Sequence, residues 1–132
     1  MENMTITPAA AKAKGAHFET RIAEYLATEL LDDRIERRTK HGHKDTGDIG
    51  GVKIGGQRLI IECKNCPMNV DLPTWLREAH REAGNDDALA GIVIAKRKGI
   101  TNIGEQFVHM TVDDLLALIT GERHGHRKDF VA

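Results

Sequence analysis

The chain has 132 residues, 40% hydrophobic and 30% charged, with 19 basic and 20 acidic side chains and a formal net charge of -1 at pH 7. That length suits one domain over 1–132 that buries about two-thirds of its unfolded surface, which excludes a miniprotein dependent on disulfides or a structural metal. The near-neutral balance excludes a uniformly basic nucleic-acid coat but leaves local patches open. No apolar run approaches the roughly 20 residues needed to cross a bilayer, and Met1 to Ala16 lacks the apolar middle of a secretory signal. A soluble cytoplasmic protein with no membrane partner is expected. Cys63 and Cys66, the only cysteines, stand three apart at a strand end, poorly placed for a mutual bridge, which fits a reducing cytosol.

Thr7 and Pro8 form an N-cap and first helical residue, and Ala9 to Leu31 reads as one helix, or two pieces joined at Gly15. Phe18, Ile22, Tyr25, Leu26 and Leu30 recur at helical spacing and define its buried face, and Glu19 lies on or beside that stripe. Ile35 to Thr39 suits a short strand, His41 to Gly47 a polar loop, and Asp48 to Ile54 a second strand. Gly55-Gly56 then signals a two-residue hairpin turn, because both residues tolerate positive φ. The returning strand, Arg58 to Lys64, sets Leu59, Ile61 and Cys63 on one face and Ile60, Glu62 and Lys64 on the other.

Pro73 opens a helix to about Ala83, with Leu72, Leu76, Ala79 and Ala83 as its packing face, and Gly84 to Asp87 makes a turn. Ala90 to Ala95 is aliphatic without alternation, as in an interior strand covered on both faces. Gln106 to Met110 suits another strand, and Thr111 caps a last helix, Val112 to Thr120, that stops at Gly121. The tail 122–132 is expected to be mobile. This order gives an α/β domain: a mixed central β-sheet flanked by helices.

Three carboxylates, Glu19, Asp48 and Glu62, come from three different elements, and Lys64 follows Glu62 on the same strand face. If the first helix lays its Glu19 face on the sheet face that carries Glu62 and Lys64, the acids converge. Buried unpaired charges cost several kcal/mol each, so such a cluster calls for a cation, and hard oxygen donors favour magnesium or manganese.

Glu19, Gly47-Asp48-Ile49 and Ile61-Glu62-Cys63-Lys64 resemble the split acidic motif of the PD-(D/E)xK nuclease superfamily. Lys14-Gly15-Ala16 ahead of Phe18-Glu19 resembles the opening helix of the archaeal-type Holliday junction resolvases, and the likeness runs from about Lys14 to Met110. Gly47 stands where the superfamily's proline would be, and Thr20 then Arg21 follow Glu19 where those resolvases place an arginine directly. The resemblance implies a restriction-endonuclease-like core and a catalytic set of Glu19, Asp48, Glu62 and Lys64. Asp48 and Glu62 would bind Mg2+, with Mn2+ as a substitute, the Cys63 backbone carbonyl would be a further ligand, and Glu19 would complete the shell. Lys64 would orient or help deprotonate the attacking water. The activity implied is DNA phosphodiester hydrolysis by a homodimer acting on four-way junctions.

Plainer readings exist for each residue. Glu62 and Lys64 suit a surface charge pair, Glu19 a carboxylate that snorkels past the apolar stripe, and Asp48 a turn residue, with Asp45 as the substitute acid. Cys63 reads as a buried structural thiol rather than a zinc ligand, and the pairs His41/His43 and His124/His126 as solvated loop residues. Arg34, Arg37, Arg38, Lys40 and Lys44 lead straight into Asp48 and are read as a grip on the phosphate backbone, with Lys96-Arg97-Lys98 a second basic patch. Trp75 reads as a packing or dimer contact near Leu72 and Leu76, and the strand Gly91 to Ala95 is a second candidate contact. Two rival functions stand beside the resolvase. A restriction-like or repair endonuclease would need additional sequence for base readout. A non-catalytic nucleic-acid binder would want more stacking platforms than the chain's one Trp, one Tyr and three Phe.

Overall fold

The computed structural model describes residues 7–38, 47–65 and 69–124. Helix α1 (Pro8–Glu29) starts where Thr7 Oγ1 accepts the Ala10 N–H at 3.2 Å and Pro8 occupies the first turn. It runs unbroken through Gly15, so the single-helix reading holds. Strands β1 (Glu36–Arg37), β2 (Ile49–Gly50) and β3 (Lys53–Ile54) are two residues each, and β4 (Gln57–Lys64) is the long one. Then come α2 (Leu72–Asn85), β5 (Ala90–Ala95), a 3-10 turn (Ile103–Glu105), β6 (Phe107–His109) and α3 (Val112–Thr120).

The strand expected over Asp48 to Ile54 is broken at Gly51-Val52. Gly51 has φ +90°, and a Cβ there would lie 2.5 Å from the Arg34 carbonyl oxygen, so the close pass of that chain interrupts the strand. The Gly55-Gly56 turn is as expected, with φ +56° and +81°, and sets Ile54 opposite Gln57. The sheet runs β1-β2-β4-β5-β6, with β3 beside β4. Among the described residues only β4 and β5 pair in parallel, joined by α2 as crossover, so the sheet is mixed and flanked by helices as the element order implies.

Side-chain alternation along β4 divides the core. Leu59 and Ile61 pack with Phe18, Ile22 and Ala23 of α1, while Ile60 meets Ala83 of α2 and Val93 of β5 meets Trp75 and Ala79. Ile22, Ile49, Ile60, Ile61 and Val93 are fully enclosed, each contributing about 1.5–3 kcal/mol of burial. Helix α2 packs with the expected face, Ala79 and Ala83 buried and Leu72 and Leu76 partly covered against the same cluster, and it buries Trp75 and Glu82 as well. Trp75 therefore packs inside the protein, as its packing reading has it, and β5 is interior. Helix α3 matches its reading: Thr111 and Asp114 cap each other reciprocally, and Gly121 closes the helix at φ +77°.

Candidate active site

Asp48 stands one residue ahead of β2 and is tied to β4 at two points. Its N–H donates to the Ile61 carbonyl at 2.9 Å, and its Oδ2 accepts the Cys63 N–H at 2.7 Å. These bonds bracket Glu62, so Asp48, just ahead of β2, and Glu62 of β4 lie side by side. Gly47 makes this approach possible: at φ +95°, a Cβ would sit 3.1 Å from Ile60 Cγ2 and 3.3 Å from the Ile61 carbonyl oxygen. A proline, held near φ −65°, cannot take that conformation.

Glu62 is only 7% exposed, and its Oε1 is buried with no hydrogen-bond partner. Burial, then a hydrogen bond with Glu82, then the Asp48 charge hold its carboxyl far above the usual range, at about 11. Glu82, on α2, is itself buried. One turn earlier on that helix Glu78 Oε2 lies 3.4 Å from Lys64 Nζ, and the ammonium stands 5.8 Å from the Trp75 ring centre. Glu62 and Lys64 thus face α2, where Glu82 meets Glu62 and Glu78 meets Lys64. Sequence reasoning missed both glutamates. The signal was present for Glu82, which interrupts the apolar series Trp75, Ala79, Ala83 at helical spacing, as Glu19 does on α1.

The expected meeting of Glu19 with the Glu62–Lys64 face does not occur, because α1 covers the opposite side of β4. Glu19 Oε2 instead accepts from Arg37 Nε at 2.8 Å. Its carboxyl is raised by burial, against the lowering effect of the Arg37 bond, and Asp48 raises it further. Asp48 is therefore the link between the faces, within electrostatic reach of Glu19 on one side and Glu62 on the other. Cys63 points toward α1, and burial followed by the fields of Asp48, Glu19 and Glu62 pushes its thiol up, which keeps it neutral and opposes a zinc thiolate. Its main chain enters the site through the N–H held by Asp48.

Among the described residues no three His, Cys, Asp or Glu side chains are arranged to hold a metal ion. The donors nevertheless suit magnesium, which keeps several waters and commonly takes only one or two carboxylates from the protein. Asp48 and Glu62 are such a pair, and the buried, unpartnered Oε1 of Glu62 is an oxygen that lacks the cation or donor it needs.

The basic run is partly engaged within the chain. Arg34 forms a two-pronged pair with Asp32 at 2.9 and 3.0 Å, Arg37 holds Glu19, and the Arg38 guanidinium lies so close to Gly50 that a Cβ there would meet Nε at 2.7 Å. Lys40 and Lys44 fall outside the described residues, as do His41, His43, Asp45, Cys66 and His126. In the second patch Arg97 stacks 4.1 Å from the Phe107 ring centre. A cleft of about 310 Å³ between α2 and α3, lined by His80, Thr111, Asp114 and Arg123, is separate from these carboxylates; there His80 Nε2 and Asp114 Oδ2 are 2.8 Å apart. No helix among the described residues is long and apolar enough to cross a membrane. Comparison of the chain with protein-family models, curated proteins and solved structures finds no match.

Proposed function

We propose that this chain is a cytoplasmic, divalent-metal-dependent DNA endonuclease of the PD-(D/E)xK type, built on a restriction-endonuclease-like core, and that it resolves four-way junctions as a homodimer. The reading rests on one observation: Asp48, just ahead of β2, and Glu62 of β4 lie side by side, Lys64 follows on the same face as Glu62, and Glu62 keeps a buried oxygen without a partner. Asp48 and Glu62 would hold Mg2+ or Mn2+, which when bound polarises a phosphate and lowers the pKa of water. The Cys63 N–H fixes one Asp48 oxygen and so sets the direction of the other. Lys64, braced by Glu78 and Trp75, places a positive charge beside the acids, where it orients the attacking water and offsets charge gathering on the phosphate. Arg37 pairs with Glu19 at the neighbouring edge and offsets part of that carboxylate's charge.

The test is incubation of labelled four-way junction and a linear duplex of matched sequence, with and without magnesium. Magnesium-dependent paired nicks in the junction, in preference to the duplex, are expected. Cutting of both substrates alike would leave a nuclease and remove the resolvase. No cutting of either with magnesium or manganese would overturn the nuclease reading.

A further inference from the structure

Away from the carboxylates, the cleft of about 310 Å³ between α2 and α3 is lined by two histidines, His80 of α2 and His124 just beyond α3. The ring protons of both are fixed by acceptors. Asp114 Oδ2 accepts the main-chain N–H and the hydroxyl of Thr111, each at 2.8 Å, so His80 Nε2, also 2.8 Å away, is a third donor to it. The Glu122 carbonyl can only accept, so His124 Nδ1, at 2.7 Å, carries its ring proton too. In each neutral imidazole the other nitrogen, His80 Nδ1 or His124 Nε2, then holds a lone pair and has no partner among the described residues.

We propose that His80 Nδ1 and His124 Nε2 bind a borderline divalent transition-metal ion, of the zinc or nickel kind, at a site separate from Asp48 and Glu62. A ring that gives its far N–H to a carboxylate or a carbonyl is the arrangement found in metal-ligating histidines, because that bond fixes the tautomer and makes the ligating nitrogen more basic. Imidazole nitrogens suit this class of ion, whereas the oxygens of Asp48 and Glu62 suit magnesium. Asp114, whose side chain is only 8% exposed, is locked into the α3 cap and so holds His80 on a rigid support. Asp113 adds negative charge to the wall of the cleft, and the guanidinium of Arg123 on the same wall is offset by Asp87 at 3.1 Å. No third side chain completes the set among the described residues, so water takes the remaining positions and the ion exchanges readily. Bound there, it ties the segment after α3 back to α2.

Calorimetric titration of the full chain with zinc chloride, without DNA or magnesium, tests this, and thermal melting with and without zinc gives a second readout. A zinc equivalent is expected whose affinity falls about 10-fold or more in His80→Asn and in His124→Asn. His126→Asn should leave it unchanged, and so should Glu62→Gln, which separates this ion from the Asp48–Glu62 centre. Zinc should raise the melting temperature of the wild-type chain and of neither cleft variant, since the ion binds only the folded arrangement. His80 also bonds the Asp114 cap, so circular dichroism is read for each variant. If His80→Asn does not fold, the comparison of His124→Asn with His126→Asn decides alone. Full affinity in a folded His80→Asn or in His124→Asn, or no saturable zinc binding by the wild-type chain, would overturn the proposal. So would equal losses in His124→Asn and His126→Asn, which mark a chelate of the tail. None of these outcomes involves hydrolysis, so each leaves the nuclease reading to its own test.

Discussion

Glu82 of α2 and Glu62 of β4 meet as two acids in the interior, joined by a hydrogen bond that one proton must supply. The native, metal-free Glu62–Glu82 pair therefore retains a proton that the unfolded chain releases near pH 4.5. Folded-state pKa above unfolded-state pKa means that the stabilisation is complete below the unfolded value and is lost as pH rises toward about 11. Metal-free protein should melt at progressively lower temperature between about pH 6 and pH 9, with a limiting slope of about 1.4 kcal/mol per pH unit for one proton. Glu62→Gln should flatten the trend, and equal slopes in both proteins would mean that Glu62 ionises normally.

Asp48→Asn and Glu62→Gln should each abolish cleavage and leave a folded chain that still binds DNA. Lys64→Ala should slow cleavage by about 10²–10⁴-fold, the range for losing a positioned proton-transfer group. Single-turnover assays at saturating metal check all three. Full activity in any one would remove that residue from the site.

Magnesium or manganese should support turnover, and calcium should support DNA binding with little cleavage, because its larger and looser coordination activates water poorly. Cleavage series with each ion and with excess chelator measure this. Hydrolysis undiminished by chelator would exclude the metal-dependent mechanism.

Arg37→Ala should destabilise the chain by about 1–3 kcal/mol, since it leaves the part-buried Glu19 carboxylate without its donor. The double variant Glu19→Gln/Arg37→Ala should recover much of that loss, as denaturant unfolding of the four proteins in the cycle would reveal. Additive losses would show that the pair does not act as a unit.

Much of the fold is legible in local chemistry: the Thr7-Pro8 start, the Gly55-Gly56 turn, the aliphatic run of β5 and the Thr111 cap each depend on a few neighbouring residues. The pairing of Asp48 with Glu62–Lys64 is legible as well, because strand alternation and a hairpin suffice to place them. The side of the sheet taken by α1 is not, since that depends on which face of β4 competes better for an apolar helix. Leu59 and Ile61 win that competition, carry α1 and Glu19 with them, and leave the charged face to α2. Glu78 and Glu82 escaped notice for the same reason: their importance appears only once α2 is known to lie over Lys64 and Glu62.

Gly47 and Gly51, both at positive φ, stand on either side of Asp48 and the two-residue β2. A strand so short has little ladder of its own to hold a register, so the bends at its ends set where the carboxylate arrives. The site is thereby vulnerable to replacements that alter no acid, no base and no charge. A single methyl group at either glycine would crowd the backbone that passes over it and carry Asp48 away from Glu62 with its chemistry intact.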